Sequence, residues 1–216
     1  MADESKPQTA SESIREFDAI IIGAGISGLY QLHRLRELGL KVLVLEAGTG
    51  VGGTWYWNRY PGARFDSESY TYAYSFSQEV LDTWEWSEHF AAQPETLEYL
   101  NFVTDKFDLR GDIEFNARVT GADFNEQENH WTVTTQAGDR ARAQFLITAV
   151  GVLSAPYTPD IPGRDTYAGA CWHTAAWPKE TVDLIEHRVG IIGTGATAVQ
   201  LIPAIGKTNG HPTAIH

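Results

Sequence analysis

The feature that most constrains the fold is a strand–turn–helix–strand pattern near the start of the chain. A short apolar run, residues 17–22, leads into the glycine-rich turn at residues 23–28, and a second strand is predicted at residues 41–45. A short apolar run such as the first, with its β-branched residues, is typical of a strand buried on both faces. Between the two strands lies a leucine stripe with a spacing of three residues, which predicts a helix that ends at Gly39. The stripe consists of Leu29, Leu32, Leu35 and Leu38.

The glycines of this turn each have a separate role in binding a dinucleotide. Gly23 allows the sharp turn, Gly25 lets the backbone approach a pyrophosphate, and Gly28 lets the helix pack close to the strand. The helix N-terminus, which includes Ser27, presents N–H groups and partial positive charge to that pyrophosphate. Glu46, at the end of the second strand, is placed to accept hydrogen bonds from ribose hydroxyls. Because a carboxylate repels a 2′-phosphate, the site suits FAD or NAD and disfavours NADP.

The next loop is rich in glycine and then in aromatic residues. Four glycines lie within residues 48–53, and four large aromatic residues lie within residues 55–60. Buried aromatic side chains that pin a surface loop explain part of this pattern, and a flat partner such as isoalloxazine explains it better. We therefore predict further cofactor contacts in this loop and beyond it. They are Thr54, Trp55, Tyr56, Trp57, Tyr72 and Val119.

Arg64 and Asp66 flank Phe65 and have two interpretations. In the first they form an ordinary loop ion pair, which contributes little when it is exposed. In the second they lie close to the flavin and the nicotinamide, and Asp66 orients a catalytic cation. The residues alone leave both interpretations open, so Arg64 and Asp66 are candidate cofactor contacts and Asp66 is a candidate catalytic residue.

The middle of the chain predicts a helix followed by antiparallel strands. Residues 93–107 carry apolar side chains along one side and have Pro94 near the first turn, as helices often do. Residues 112–151 alternate short apolar runs with turn signals at 126–129 and 136–139, which indicates an antiparallel meander. The meander closes with an apolar strand predicted at residues 145–150.

A second glycine-rich turn follows a proline-rich segment. The prolines at positions 156, 159 and 162 indicate an extended interdomain linker. Beyond it, an apolar strand at residues 188–192 leads into a turn of the same type, with alanine in place of the third glycine, which the fingerprint permits. Two such turns imply two dinucleotides, as in a flavoprotein that takes hydride from a nicotinamide. The second set of contacts is Gly193, Thr194, Gly195, Ala196, Thr197 and Ala198.

Composition excludes several classes of protein. The 216 residues include one cysteine, Cys171, so neither a disulfide reductase with a redox pair nor a thiolate metal site is expected. A net charge of −12 argues against non-specific nucleic-acid binding. The first sixteen residues are polar and acidic and predict a disordered tail rather than a signal peptide. We expect a cytoplasmic protein without a membrane-spanning segment.

Three stretches together resemble the type I Baeyer–Villiger monooxygenases. They are "GAGISGLY" through Glu46, "GGTWYWNRYPGARFDSES", and "YAGACWHTAAWP" shortly before "GTGATA". The family motif, F-x-G-x-x-x-H-x-x-x-W followed by Pro or Asp, is matched except that tyrosine replaces the phenylalanine. Its closing tryptophan favours ketone oxidisers over the related flavin monooxygenases that oxidise nitrogen or sulfur. The motif residues are Tyr167, Gly169, His173, Trp177 and Pro178.

The resemblance implies the fold, cofactors and reaction. It implies an α/β, Rossmann-like two-dinucleotide-binding flavoprotein that uses FAD, NADPH and O2 to insert one oxygen atom into a ketone, giving an ester or lactone. Neither nucleic acid nor membrane is an expected partner. It also implies that His173 helps to couple the movement of the two nucleotide domains, with a packed linker histidine as the alternative. A catalytic arginine held near Asp66 is implied but is not identifiable in this chain.

The implied organisation is a disordered tail (1–16), the N-terminal part of an FAD-binding domain (17–153), a linker with the motif (154–187) and the start of an NADP-binding domain (188–216). Because family members are much longer, we expect an N-terminal, truncated fragment with exposed apolar surface that depends on a C-terminal segment. NADP rather than NAD rests on the resemblance alone. The alternatives are a nitrogen- or sulfur-oxidising flavin monooxygenase and an inactive FAD-binding fragment.

Overall fold

A six-stranded mixed sheet forms the larger part of the structure, a computed structural model that describes residues 14–208 and 210–215. Its strands are β1 (Arg15–Ile22), β2 (Val42–Leu45), β3 (Ile113–Glu114), β4 (Val119–Asn125), β5 (His130–Thr135) and β6 (Arg140–Thr148). Their order across the sheet is β3-β2-β1-β6-β5-β4. The pairs β3–β2, β2–β1 and β1–β6 are parallel, and β4, β5 and β6 form an antiparallel meander.

The helices connect these strands and cover the sheet. The first, α1 (Ile26–Glu37), joins β1 to β2, and the longest, α5 (Gln93–Lys106), packs beneath the glycine-rich segment that follows β2. The α-helices of this part are α1 (Ile26–Glu37), α2 (Thr54–Trp57), α3 (Ser69–Tyr72), α4 (Gln78–Thr83) and α5 (Gln93–Lys106). Short 3-10 turns occur at Arg110–Asp112, Arg164–Thr166 and Thr174–Ala176. No helix in the described ranges is long and apolar enough to cross a membrane.

Strand β1 is buried on both faces, as its apolar run predicts. Ala19 and Ile21 pack into one core cluster and Ile20 packs into the cluster on the opposite face, because successive strand side chains alternate. The strand begins at Arg15, however, so the predicted tail of residues 1–16 is wrong for its last two residues. Arg15 and Glu16 are exposed but continue the parallel pairing with β6. The rest of the predicted tail, residues 1–13, lies outside the described residues.

The predicted helix between β1 and β2 is confirmed, with one correction to its leucine stripe. Leu29 and Leu32 are buried, whereas Leu38 is 72% exposed. The difference arises because the helix ends at Glu37, which leaves Leu38 as the C-cap, and Gly39 adopts a φ of 76°. The following strand also starts one residue later than predicted, at Val42.

The predicted meander is confirmed, with turns at residues 126–129 and 136–139. Its last strand is longer at the start and shorter at the end than predicted. Residues 140–148 form one strand, so Ala149 and Val150 lie beyond it. The early start has a physical reason: residues 140–143 pair with β5 on one side while the strand pairs with β1 on the other.

A second, two-stranded parallel sheet lies near the end of the chain. Strands β7 (Arg188–Ile192) and β8 (His211–Ile215) are joined by helix α6 (Ala196–Lys207). Its small core is formed by Leu184, Ile191, Ala198, Leu201 and Ile205. The proline-containing segment before it is irregular and exposed over residues 151–172. The domain boundaries at 17–153, 154–187 and 188–216 stay a prediction.

Replacing Gly28 by alanine should destabilise the fold strongly. A Cβ atom at position 28 would overlap the carbonyl oxygen of Gly23, which is backbone and cannot rotate away. We expect Gly28→Ala to lower the free energy of unfolding by more than about 2 kcal/mol, measured by urea denaturation. The matched control is Gly206→Ala in α6, where a Cβ meets nothing within 4 Å and should stabilise the helix by about 0.5–1 kcal/mol. Equal stability of the two variants would contradict this account.

Candidate functional site

The first glycine turn is shaped by contacts with the neighbouring backbone. Gly23 has a φ of 103°, and a Cβ there would lie 2.6 Å from the carbonyl oxygen of Ala149. Gly25 faces Gly53 of the next loop, where a Cβ would lie 2.8 Å from the Gly25 Cα atom. The amide of Gly52 donates to the carbonyl of Ala24 at 3.0 Å. Two glycine-rich segments therefore meet backbone to backbone at the N-terminus of α1.

The N-terminus of α1 has the features of an anion-binding site. Its N-cap is Gly25, which supplies no side-chain acceptor, and its first turn contains no acidic residue. The first N–H groups of a helix have no intrahelical acceptor and carry partial positive charge. Ser27 lies exposed in this turn. The residues present therefore fit the pyrophosphate of a dinucleotide.

Glu46 is fixed beside this turn by two backbone amides. Its carboxylate is 5% exposed and accepts hydrogen bonds from Ala24 N and Gly48 N, each at 2.7 Å. Each carboxylate oxygen uses one lone pair in this way and keeps another. The carboxylate can therefore hold the two glycine segments and still accept a hydrogen bond from a ribose hydroxyl.

The aromatic residues that follow divide into buried and exposed ones. Trp55 and Tyr56 are buried, and Trp57 is 39% exposed. The indole N–H of Trp55 donates to the Tyr72 hydroxyl at 2.6 Å, and the Tyr72 ring stacks on Phe65 at 4.4 Å between centroids. Burial raises the pKa of Tyr72, and the hydrogen bond from Trp55 only partly offsets it. Internal packing thus accounts for Trp55 and Tyr72, whereas Trp57 leaves ring surface open for a planar partner.

The structure does not pair Arg64 with Asp66. The Arg64 guanidinium donates to Glu88 at 2.9 Å and to the Phe90 carbonyl at 3.2 Å. Asp66 is exposed. The interpretation of the two residues as a loop ion pair is therefore wrong. Glu88 is twenty-four residues away in the chain, and no local signal in the sequence points to it.

Two further predicted cofactor contacts, Thr54 and Val119, lie in different elements of the fold. Thr54 is exposed and opens the single helical turn of α2. Val119 begins β4, two residues after Ala117, whose amide donates to the Glu46 carbonyl at 2.8 Å. The Val119 side chain packs against the cluster that contains Leu43 and Leu45. Its segment therefore lies beside Glu46.

The second glycine turn repeats the geometry of the first. Gly193 has a φ of 110°, and its amide donates to the last residue of the neighbouring strand at 3.0 Å, as Gly23 does at 2.9 Å. Gly195 is the N-cap of α6 and supplies no side-chain acceptor, and the first turn of α6 has no acidic residue. Thr194 and Ala196 are exposed, Thr197 is half-buried and Ala198 is buried. The residues present fit a second anionic dinucleotide.

The motif segment, residues 167–178, is held together by its histidine. The Nδ1 atom of His173 accepts from Ala175 N at 3.1 Å, and Nε2 lies 3.2 Å from the carbonyl oxygen of Tyr157. Because Nδ1 accepts, the proton lies on Nε2, which donates to Tyr157. A Cβ at Gly169 would lie 2.5 Å from the Tyr167 hydroxyl oxygen, so the tyrosine ring covers this glycine.

A cleft of about 680 Å³ lies between the motif segment and α5. Trp177, Pro178 and Lys179 line it on one side, and Leu97 and Arg59 line it on the other. The glycine turns do not contribute to its walls. The cleft is therefore separate from the predicted dinucleotide contacts.

Gln200 connects the two dinucleotide units and was missed by the sequence analysis. Its side-chain oxygen accepts from the Tyr60 hydroxyl at 2.8 Å and from Arg64 N at 3.2 Å, and its Nε2 donates to the Arg64 carbonyl at 2.9 Å. A Cβ at Gly62 would lie 2.5 Å from the Gln200 carbonyl oxygen. Helix α6 therefore docks on residues 60–64 through one side-chain amide and one glycine.

Residues 20–211 match the pyridine nucleotide-disulphide oxidoreductase family. The chain is 51% identical over 193 residues to the acetone monooxygenase (methyl acetate-forming) of Gordonia sp. (strain TY-5), covering 89% of this chain and 36% of that protein. It is 50% identical over 198 residues to the phenazine N-monooxygenase of Lysobacter antibioticus, covering 91% of this chain and 36% of that protein. An oxidized steroid monooxygenase bound to NADP superposes with a TM-score of 0.89 and 50% identity, over 93% of this chain and 38% of that one.

These similarities confirm the predicted α/β flavoprotein fold and the resemblance to Baeyer–Villiger monooxygenases. Conversion of acetone to methyl acetate, as the name of the Gordonia protein states, places an oxygen atom next to a ketone carbonyl. The chain spans little more than a third of the length of the relatives it matches.

Replacing Gln200 by leucine should weaken the docking of α6. The change keeps the side chain at a similar size but leaves Arg64 N and its carbonyl without the amide partner. We expect a loss of about 1–3 kcal/mol in the free energy of unfolding, measured by urea denaturation. Gln127→Leu, in the exposed turn at 126–129, makes the same chemical change as a control. Equal losses in the two variants would show that the amide contacts do not matter.

Proposed function

Because the chain belongs to the pyridine nucleotide-disulphide oxidoreductase family, we propose that it is part of an FAD-dependent, NADPH-consuming monooxygenase. The proposed reaction inserts one oxygen atom of O2 into a ketone to give an ester or lactone. The observation that carries the proposal is the pair of glycine turns with the same geometry, Gly23–Gly28 and Gly193–Ala198, connected by the motif segment. The 51% identity to an acetone monooxygenase supports it.

FAD would be held at the first turn. The N–H groups at the start of α1 bind the pyrophosphate, Glu46 accepts from the ribose, and Trp57 offers exposed ring surface. Bound there, FAD supplies the capacity to accept hydride and to transfer oxygen. The chain itself contributes binding and orientation, and the close approach of Gly25 and Gly53 brings the two glycine segments together at the start of α1.

NADPH would be held at the second turn. The exposed N-terminus of α6 receives its pyrophosphate, and Gln200 on the same helix sets where that helix lies relative to residues 60–64. NADP rather than NAD is supported by the NADP-bound steroid monooxygenase. Because reacting groups must be held in a defined geometry, the Gln200 contacts with the Arg64 main chain would contribute to the positioning of the two units.

We assign His173 to positioning and Asp66 to orientation of a positive charge. His173 uses both ring nitrogens to hold the motif turn to Tyr157, which supports a role in coupling the two units rather than in proton transfer. Asp66 is exposed and carries no ion pair with Arg64 or with any other described residue, so its carboxylate is available to a cation from elsewhere.

Oxidation of an aromatic nitrogen is a second candidate reaction. The 50% identity to a phenazine N-monooxygenase is too close to the 51% of the acetone enzyme for identity to separate them. Trp177 favours the ketone reaction on the pattern of the motif. A third candidate is an FAD-binding fragment without activity, which is supported by the 99% exposure of Val152 and the exposed apolar residues Leu153, Ile192 and Ile215.

We also propose a further polypeptide segment as a partner of this chain. A further segment that covers these apolar side chains would complete the sites, since the matched relatives are almost three times longer than the part they share with this chain. We propose a cytoplasmic location because NADPH is available inside cells. The charge of −12 supports small molecules, not nucleic acid, as partners.

The visible absorption spectrum of the purified chain tests the proposed function. We expect bound flavin bands that bleach when NADPH is added without oxygen, because the chain supplies a glycine turn for each of the two dinucleotides. Acetone and phenazine, offered with NADPH and O2, then separate the ketone and nitrogen reactions by their products. Flavin without bleaching would leave an FAD-binding fragment, and a chain that takes up no flavin when FAD is supplied would contradict the proposal for this polypeptide.

A further inference from the structure

Tyr56 determines the shape of the glycine loop that follows β2, residues 46–53. A Cβ at Gly48 would lie 2.8 Å from the tyrosine Cε1 atom and at Gly50 3.3 Å from Cε2, whereas at Gly52 it would meet Leu97 first, 2.5 Å from Cδ1. Two glycines of the loop therefore face the Tyr56 ring, and neither can accept a side chain without displacement of that ring. The loop is wrapped around the Tyr56 ring.

The Tyr56 hydroxyl is also fully used. It accepts from Thr49 N at 3.1 Å and from the Lys179 ammonium at 3.2 Å, and it lies 2.6 Å from the Thr49 hydroxyl oxygen, to which it can donate. A phenol offers one donor and two acceptor positions, and these three partners fill them. Burial raises the pKa of Tyr56, but the hydrogen bonds from Thr49 and Lys179 outweigh it, so that the pKa lies below its ordinary value.

Lys179 brings the motif segment into this network. It follows Trp177 and Pro178 directly, whereas Thr49 belongs to the loop itself. Its ammonium also lies 5.4 Å from the centroid of the Tyr56 ring, within the range of a cation–π interaction. Lys179 is exposed, and an isolated exposed lysine contributes little, but this one completes the hydrogen bonding of the part-buried Tyr56 hydroxyl.

The contact continues from Tyr56 to the dinucleotide site. Gly48 lies between the tyrosine ring and Glu46, since its Cβ would be 2.8 Å from the ring and 3.1 Å from the Glu46 Oε1 atom. The Gly48 amide donates to that same oxygen at 2.7 Å. A shift of the Tyr56 ring would therefore move Gly48 and change the position of the carboxylate.

We propose that Lys179 is a positioning residue, which acts through Tyr56 to hold residues 46–53 in the form that receives the ribose of FAD. The segment after the motif thereby sets how tightly the first dinucleotide is bound. The identity of the dinucleotide rests on the proposed function, whereas the effect of Lys179 on the loop does not.

Hydrogen exchange of the 216-residue chain without added FAD tests the effect on the loop. In Lys179→Met we expect the Thr49 and Gly48 amides to exchange about two- to tenfold faster, because one hydrogen bond of the network is lost. Lys179→Arg keeps a cationic donor and should restore the exchange rates of the wild type. Lys207→Met, at the end of α6, removes the same charge elsewhere, and the amide of Ile20 in β1 reports any global opening.

Unchanged exchange at Thr49 in Lys179→Met would overturn the proposal. So would equal acceleration in Lys207→Met, or Lys179→Arg behaving like Lys179→Met.

Titration with FAD tests the link to the dinucleotide site. We expect Lys179→Met to raise the Kd for FAD about two- to tenfold and Lys179→Arg to leave it close to the wild-type value. Faster loop exchange with an unchanged Kd would overturn that link. A wild-type chain that binds no FAD would contradict the proposed function, and with it the ribose assignment, while the exchange measurement still decides whether Lys179 shapes the loop.

Discussion

The buried carboxylate of Glu46 is the interaction on which the predicted cofactor site depends. It accepts hydrogen bonds from Ala24 N in the first glycine turn and from Gly48 N in the glycine loop that follows β2. One side chain thus fixes two backbone segments that are far apart in sequence. A buried charge requires such partners, because an unpaired carboxylate would be costly in a low-dielectric interior. The close contact of Gly25 with Gly53 follows from this arrangement, and so does the open helix N-terminus beside it.

The two glycine turns show which features of turn geometry come from the local sequence and which come from the surrounding structure. Their backbone geometry is nearly the same, with φ of 103° at Gly23 and 110° at Gly193. Gly23 is confined by Ala149, whereas a Cβ at Gly193 would meet nothing within 4 Å. The local sequence is therefore sufficient to form the turn, and the surrounding sheet adds the confinement that only the first unit has.

The sequence predicted strands and helices correctly where a hydrophobic pattern extends over the whole element. The apolar run at residues 17–22 predicted β1, since such a run is typical of a strand buried on both faces, and the stripe from Leu29 predicted α1. The sequence did not indicate the start of β1. Arg15 extends this strand through backbone pairing with β6, which its polar side chain does not reveal. The sequence also failed for pairs distant in the chain, such as Arg64 with Glu88, because neither residue carries a sign of the other.

The docking of α6 has a consequence for the position that carries Arg64. Gln200 contacts only the main-chain N–H and carbonyl of that residue, while its guanidinium points to Glu88 and the Phe90 carbonyl. The main chain and the side chain of one residue thus serve different neighbours. A substitution that removes the charge of Arg64 would therefore leave the Gln200 contacts that dock α6 in place. The electrostatics near the site can thus be altered at this residue independently of the docking of the helix.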